Sequence, residues 1–91
     1  MLVVVCYDIS DDNRRTRLYK RMQGYGTPVQ RSVFECDVRP AELERVRRLL
    51  RRLVDPAVDG ARLYLLCEQC ARRVEVVAGR RREQPPDFLI V

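Results

Sequence analysis

The chain has 91 residues with a formal net charge of +5 and 46% hydrophobic residues, which suits one small domain and leaves no room for a second. Charged residues make up 34%, and no apolar run approaches the ~20 residues that a membrane-spanning helix needs, which excludes a disordered tail and a membrane protein. The sequence contains no histidine, so a hydrolase of this composition must work without imidazole catalysis, through carboxylates and a metal ion.

The first predicted element is a strand over residues 2–8, which is apolar at nearly every position. A strand that is apolar on both faces must be covered on both, so we expect helices on one face and a second copy of the chain on the other. This is the first argument for a homodimer. The N-terminal run lacks the basic leader and cleavage site of a secretory signal, so we expect a cytoplasmic protein with reduced cysteines.

Asp8 is the residue that we expect to carry the chemistry, because it ends this strand directly before a turn into a helix. A carboxylate in that position can hold a hard cation against a phosphodiester. One carboxylate is too few for a Mg²⁺ site, so in a homodimer the two copies of Asp8 would meet across the axis and share one ion. The alternative is that Asp8 only caps the turn or helix that follows it.

A helix from about Asp12 to Gly24 is predicted next, with Ser10 as its N-cap. Its arginines form an exposed stripe, and few acids offset them. Lys20 is the only lysine among 18 cations, and arginine suits nucleic acid because its planar fork contacts phosphate through two hydrogen bonds. We therefore expect phosphate binding, with a merely solubilising face as the alternative; the stripe consists of Arg14, Arg17 and Arg21.

A second strand is predicted over Val29–Val38. Phe34 alternates out of register with its neighbours, so we expect it to be exposed and able to stack on a base. Tyr7 is a further candidate for stacking. Tyr19 and Tyr25 lie at helical spacing with apolar residues, which favours core packing for them.

The remaining elements are a helix from Pro40 to about Val54 and three short strands over residues 61–67, 74–78 and 88–91. The elements therefore follow one another as βαβαββ, with a terminal strand after a proline spacer. A terminal apolar strand on a stiff tether suits pairing with a neighbouring sheet edge.

Cys67 and Cys70 have the spacing of a metal-ligand or redox pair, but a lone C-x-x-C is a weak signal. A zinc site needs two further ligands, and Cys6 and Cys36 lie inside predicted strands, where cysteine is usually a small buried hydrophobe. We favour structural thiols, with a cysteine-based zinc module as the alternative.

The stretch VVVCYDISDDNRRTRLYKRMQGYG followed by VQRSVFEC resembles the small CRISPR-associated endoribonuclease, the lesser subunit of the CRISPR adaptation complex. The match is specific over residues 3–38 and looser, but colinear, to the C-terminus. The resemblance implies an α+β, ferredoxin-like homodimer with a core over residues 1–79 and a tail over residues 80–91 whose last strand pairs with the partner's sheet. A ferredoxin-like domain runs βαββαβ, which differs from the order that the pattern predicts.

The same resemblance implies that Asp8 is the catalytic carboxylate and binds Mg²⁺ at the dimer interface. It implies a metal-dependent endonuclease for single-stranded RNA, and double-stranded DNA in some relatives, which acts in spacer acquisition with the CRISPR integrase subunit. The alternative is a non-catalytic scaffold that grips DNA for the integrase. The positions that match nucleic-acid handling in the family are Arg15, Arg17, Ser32 and Phe34, and the resemblance places Tyr7 beside the metal.

Overall fold

The computed structural model describes residues 1–79. Within them the order of the first six elements is βαββαβ, which confirms the ferredoxin-like fold and corrects the order predicted from the pattern. In that part of the chain no helix is long and apolar enough to cross a membrane. The elements are β1 (Leu2–Asp8), α1 (Asp12–Met22), β2 (Thr27–Gln30), β3 (Val33–Asp37), α2 (Pro40–Leu53), β4 (Gly60–Leu66) and α3 (Glu68–Arg72).

The four strands form one antiparallel sheet in the order β2-β3-β1-β4, so the apolar β1 lies in its interior. Side chains alternate along a strand, and every second residue of β1 therefore faces the helices. Val3, Val5 and Tyr7 belong to the core on that side. Val4 and Cys6 face the other way and are only half-buried. We call this second side the open face of the sheet.

The two long helices cover the other side of the sheet with the apolar residues that their spacing predicts. α1 contributes Leu18 and Met22, both fully buried. α2 begins at Pro40, whose fixed backbone angle suits the first helical turn. The buried residues of α2 recur every three or four positions and are Leu43, Val46, Leu49, Leu50 and Leu53.

The single strand predicted over Val29–Val38 is wrong, because a tight turn divides it into β2 and β3. Gln30 pairs with Val33, so Arg31 and Ser32 alone form the connection. Ser32 has a φ of 62°, in the left-handed region that is sparsely populated by residues other than glycine. This turn restores the ferredoxin-like order.

Two further expectations fail in the described residues. The strand predicted over 74–78 does not form; the chain enters α3 after β4, and the side chain of Val77 is 95% exposed. Strand propensity reflects packing against neighbours, and Val76 and Val77 are both exposed. The N-cap of α1 is Asp11, not Ser10, since the Asp11 carboxylate accepts the N–H of Arg14 at 2.8 Å. The tail over residues 80–91 and its strand lie outside the described residues.

Gly26 lies where the chain leaves α1 and passes close to β3. A Cβ added there would lie 2.4 Å from the carbonyl oxygen of Glu35 and 2.5 Å from Sγ of Cys36. Gly26→Ala therefore forces the backbone of β3 to move, and we expect a loss of about 1–3 kcal/mol of unfolding free energy. Gly24→Ala is the matched control, because its Cβ meets nothing closer than 3.4 Å. Urea denaturation measures both; equal stability of the two variants would contradict the close approach.

Candidate active site and nucleic-acid interface

Asp8 is exposed at the last position of β1, where it pairs with Gly60 at the start of β4. Alternation along β1 places it on the open face, together with Val4 and Cys6. The sheet therefore presents a carboxylate at the end of a half-buried apolar row. Such a position is accessible to a cation and to a phosphodiester, as the sequence predicts for Asp8.

Tyr7 and Phe34 are buried next to each other on the helix side of the sheet. Phe34 is fully buried, so the expectation of an exposed ring that stacks on a base is wrong. Its ring lies 6.4 Å from that of Tyr7 and 5.4 Å from that of Tyr19, which is 40% exposed and not a core residue. Burial raises the pKa of Tyr7, and a side-chain hydrogen bond with Ser32 partly offsets this rise. Tyr7, Phe34 and Ser32 thus support β1 from inside the fold.

Arg14 is used inside the fold rather than at the surface. One of its guanidinium nitrogens forms an ion pair with Asp59 and also donates to the carbonyl oxygen of Leu53 at 2.8 Å. The side chain is 26% exposed. Two of its five N–H donors are therefore committed within the fold, and the stripe predicted on α1 is interrupted at its first member.

The side chain of Arg15 also bonds to nearby residues of the fold, whereas Arg17 and Arg21 extend from α1 into solvent. Arg15 donates to the carbonyl oxygen of Ile9 at 3.0 Å and pairs with Asp12. It thereby braces the turn that follows Asp8. Arg17 and Arg21 are exposed on α1. These two guanidinium groups are the accessible part of the predicted phosphate-binding stripe.

Asp59 is a residue near the site that the sequence analysis did not single out. Its carboxylate accepts hydrogen bonds from the backbone N–H and the hydroxyl of Ser10 at 2.9 and 3.0 Å, from the N–H of Asp55 at 2.9 Å, and from Arg14. These bonds, with the Arg14 side chain first among them, hold the pKa of Asp59 well below its usual range. In the sequence it is one acid in a polar turn, which carries no signal.

The cysteines form no metal centre in the part of the chain that the structure describes. No group of three or more histidine, cysteine, aspartate or glutamate residues there could hold a metal ion, which leaves the zinc module without support. Cys36 is buried and Cys6 half-buried, as expected of strand residues. Cys67 and Cys70 are both exposed, so burial does not explain them as structural thiols.

The thiols should differ in reactivity. The N–H of Cys70 donates to Sγ of Cys67 at 3.4 Å, and this contact lowers the pKa of Cys67. Burial raises the pKa of Cys36 to about 11. Since the thiolate is the nucleophile, we expect iodoacetamide near pH 7 to modify Cys67 first and to leave Cys36 unmodified in the folded protein. Peptide mapping by mass spectrometry measures the order, and modification of Cys36 at the rate of Cys67 would contradict it.

Comparison with known proteins gives a consistent set of relatives. The model of the family described as CRISPR associated protein Cas2 matches residues 1–74. The CRISPR-associated endoribonuclease Cas2 1 of Chloroflexus aurantiacus is 38% identical and covers 100% of both chains. The CRISPR-associated endonuclease Cas2 2 of Thermus thermophilus is 46% identical over 75% of this chain and 76% of its own. A crystal structure of Streptococcus pyogenes Cas2 superposes with a TM-score of 0.74 at 37% identity, covering 86% of this chain and 100% of that one.

Proposed function

Because the chain belongs to the CRISPR associated protein Cas2 family, we propose that it is a Mg²⁺-dependent endonuclease that acts as a homodimer. Its substrate is single-stranded RNA, with double-stranded DNA as a second substrate. Relatives are named for both kinds of activity, endoribonuclease and endonuclease. In the cytoplasm the dimer assists the CRISPR integrase subunit in acquiring new spacers, as the family resemblance implies.

The observation that carries this proposal is the position of Asp8. It is an exposed carboxylate at the end of an interior strand, on the face of the sheet opposite the two long helices. Two such faces packed together bring two carboxylates to one interface. A carboxylate that served only as a helix cap would accept from the first turn of α1, and Asp11 already does so.

The composition of the open face supports the homodimer. Val4 and Cys6 are half-buried there, and Tyr64, which pairs with Val4 across the ladder, is 47% exposed. Covering these side chains with a second copy removes apolar surface from water at about 25 cal/mol per Å². β4 is an edge of the described sheet, so its free side offers a pairing position for the tail of the partner.

The residues present fit a magnesium ion that is shared between two chains. One chain offers Asp8, and no described cluster of three potential ligands competes with it for a metal. Mg²⁺ in proteins is typically bound by one or two carboxylates and keeps water and substrate phosphate oxygens as its other ligands. Two copies of Asp8 provide that number. A bound Mg²⁺ would supply charge neutralisation at the phosphodiester and activation of water.

Arg17 and Arg21 bind backbone phosphates of the nucleic acid. Both are exposed on α1, the helix that follows Asp8 after three residues. Guanidinium groups contact phosphate oxygens through two hydrogen bonds, which orients the backbone without reading bases. Arg15, held by Ile9 and Asp12, keeps the intervening turn in place.

Phosphate binding predicts a salt dependence that these two residues control. We expect the double variant Arg17→Ala/Arg21→Ala to bind single-stranded RNA with a salt slope reduced by up to about 1.4, or ~0.7 for each phosphate contact. The double variant Arg39→Ala/Arg72→Ala removes the same charge elsewhere and serves as the control. Fluorescence anisotropy at several salt concentrations measures both slopes. An unchanged slope in the α1 variant would assign the two arginines to a solvated face.

A cleavage assay tests the proposed activity directly. The purified protein is incubated with labelled single-stranded RNA and, separately, with double-stranded DNA, in Mg²⁺ and in EDTA. We expect internal cuts in Mg²⁺ and none in EDTA. Cleavage of neither substrate in Mg²⁺, by a protein that still binds both, would support the scaffold function instead.

A further inference from the structure

Four hydrogen bonds converge on the carboxylate of Asp59, and no part of this side chain is accessible to solvent. One carboxylate oxygen accepts the N–H and the hydroxyl of Ser10, and the other accepts the N–H of Asp55 and the guanidinium of Arg14. A carboxylate is the side chain that offers enough acceptor positions for four donors. The arrangement is specific to aspartate at this position.

These contacts join the segment that follows β1 to the loop that precedes β4, next to the pair formed by Asp8 and Gly60. The ladder between β1 and β4 ends at the pair Asp8 and Gly60. Beyond this pair, the segment that follows β1 and the segment that precedes β4 are joined by Ser10 and Asp59. This contact runs through the Asp59 side chain instead of a backbone ladder. The hydrogen bonds therefore fix the direction in which the chain leaves Asp8.

Arg14 extends the same cluster to both long helices. It belongs to α1, and its guanidinium also donates to the carbonyl oxygen of Leu53, the last residue of α2. The loop before β4, the turn after β1 and the facing ends of the helices are thus connected through one carboxylate.

We propose that Asp59 is a positioning residue for the Asp8 site, because its hydrogen bonds to Ser10 and Arg14 fix the turn that holds the Asp8 carboxylate in place. This role rests on the proposed metal-dependent activity, and Asp59 itself contacts neither metal nor substrate. Outer residues that orient a metal ligand typically change metal affinity 10- to 100-fold when they are replaced.

Asp59→Asn separates positioning from general stability. An amide has one acceptor oxygen, and its nitrogen is a donor, so two of the four donors lose their acceptor whichever way the side chain is turned. The charge of Arg14 draws the oxygen to its side, which leaves the N–H of Ser10 unpaired. Asp55→Asn is the matched control, because Asp55 lies in the same loop and its side chain accepts only the N–H of Ala57 among the bonds described.

Two measurements by NMR on the full-length protein test the proposal. Amide hydrogen exchange without metal should be about tenfold or more faster at Ser10 in Asp59→Asn, with Val5 in β1 unchanged. A Mg²⁺ titration followed at the Asp8 amide should give a midpoint raised about tenfold or more. The control variant Asp55→Asn should match the wild type in the exchange rate at Ser10 and in the Mg²⁺ midpoint. Ser10→Ala removes one of the four donors and should shift both in the same direction by less, which keeps the test valid if Asp59→Asn folds poorly.

The outcomes separate this role from the proposed function. Wild-type protection at Ser10 and a wild-type Mg²⁺ midpoint in Asp59→Asn would overturn the positioning role. Faster exchange at every amide, with an unchanged midpoint, would overturn it too, since that pattern reports lost stability alone. If the Asp8 amide of the wild type does not respond to Mg²⁺, the metal site is wrong, and the exchange at Ser10 still decides whether Asp59 holds the turn.

Discussion

Asp8→Asn is expected to lower the rate of Mg²⁺-dependent cleavage by at least about 100-fold. In a dimer that shares one ion, the substitution removes the carboxylate charge that each protomer contributes to binding it. Replacing an outer residue of a metal site costs up to about that factor, and a direct ligand costs more. The variant keeps the shape of the side chain, and the exposed position at the end of β1 means that little stability is lost. Cleavage of labelled RNA at saturating Mg²⁺ measures the effect.

Glu75→Gln is the control for Asp8→Asn, since it removes an exposed acid that lies outside β1, the turn after it and α1. It should cleave at nearly the wild-type rate. Persistent cleavage by Asp8→Asn would refute the metal site. Lost cleavage with intact spacer acquisition in cells would mean that the chain serves acquisition as a scaffold and that its nuclease activity is separate.

Val4→Lys is expected to convert the proposed homodimer into a monomer. Val4 lies on the open face beside Glu35, so in a single chain the added ammonium has an acid across the ladder and the fold is retained. In the dimer the variant buries two new charges at the interface, which should weaken association by at least about 100-fold. Light scattering after size exclusion should give a mass near 10.7 kDa instead of a dimer.

Loss of the dimer should also abolish cleavage, because each Asp8 then lacks its counterpart. Val58→Lys is the control for the mass: Val58 is 64% exposed in the loop before β4, outside the strands of the sheet, and the variant should leave the mass of the dimer unchanged. A dimeric and active Val4→Lys would show that the two copies meet through some other surface.

Local signals in the sequence predicted much of this architecture. The strand at β1, the start of α2 at Pro40 and the exposed Asp8 are all as expected, since an apolar run, a fixed proline φ and a polar strand end act over a few residues. The turn at Ser32 was missed because it contains no glycine, asparagine or proline, the residues that normally mark a two-residue hairpin.

The partners of the site residues could not be predicted, because they depend on contacts between distant segments. Arg14 matches the helical stripe in spacing, but 45 positions separate it from Asp59, its partner in the ion pair. Phe34 has the alternation expected of an exposed residue only if β2 and β3 are read as one strand. Once the turn divides them, the same side chain faces the helices and is fully buried.

Mixing wild-type protein with Asp8→Asn tests most directly whether two chains share one ion. The two proteins are unfolded together, refolded in varied proportions, and assayed for cleavage at constant total concentration. If each ion needs both copies of Asp8, equal amounts give about a quarter of the wild-type activity, because random pairing leaves about a quarter of the dimers intact. Activity that falls in proportion to the wild-type fraction, to about half in the equal mixture, would show that each chain cleaves alone and would contradict the shared site.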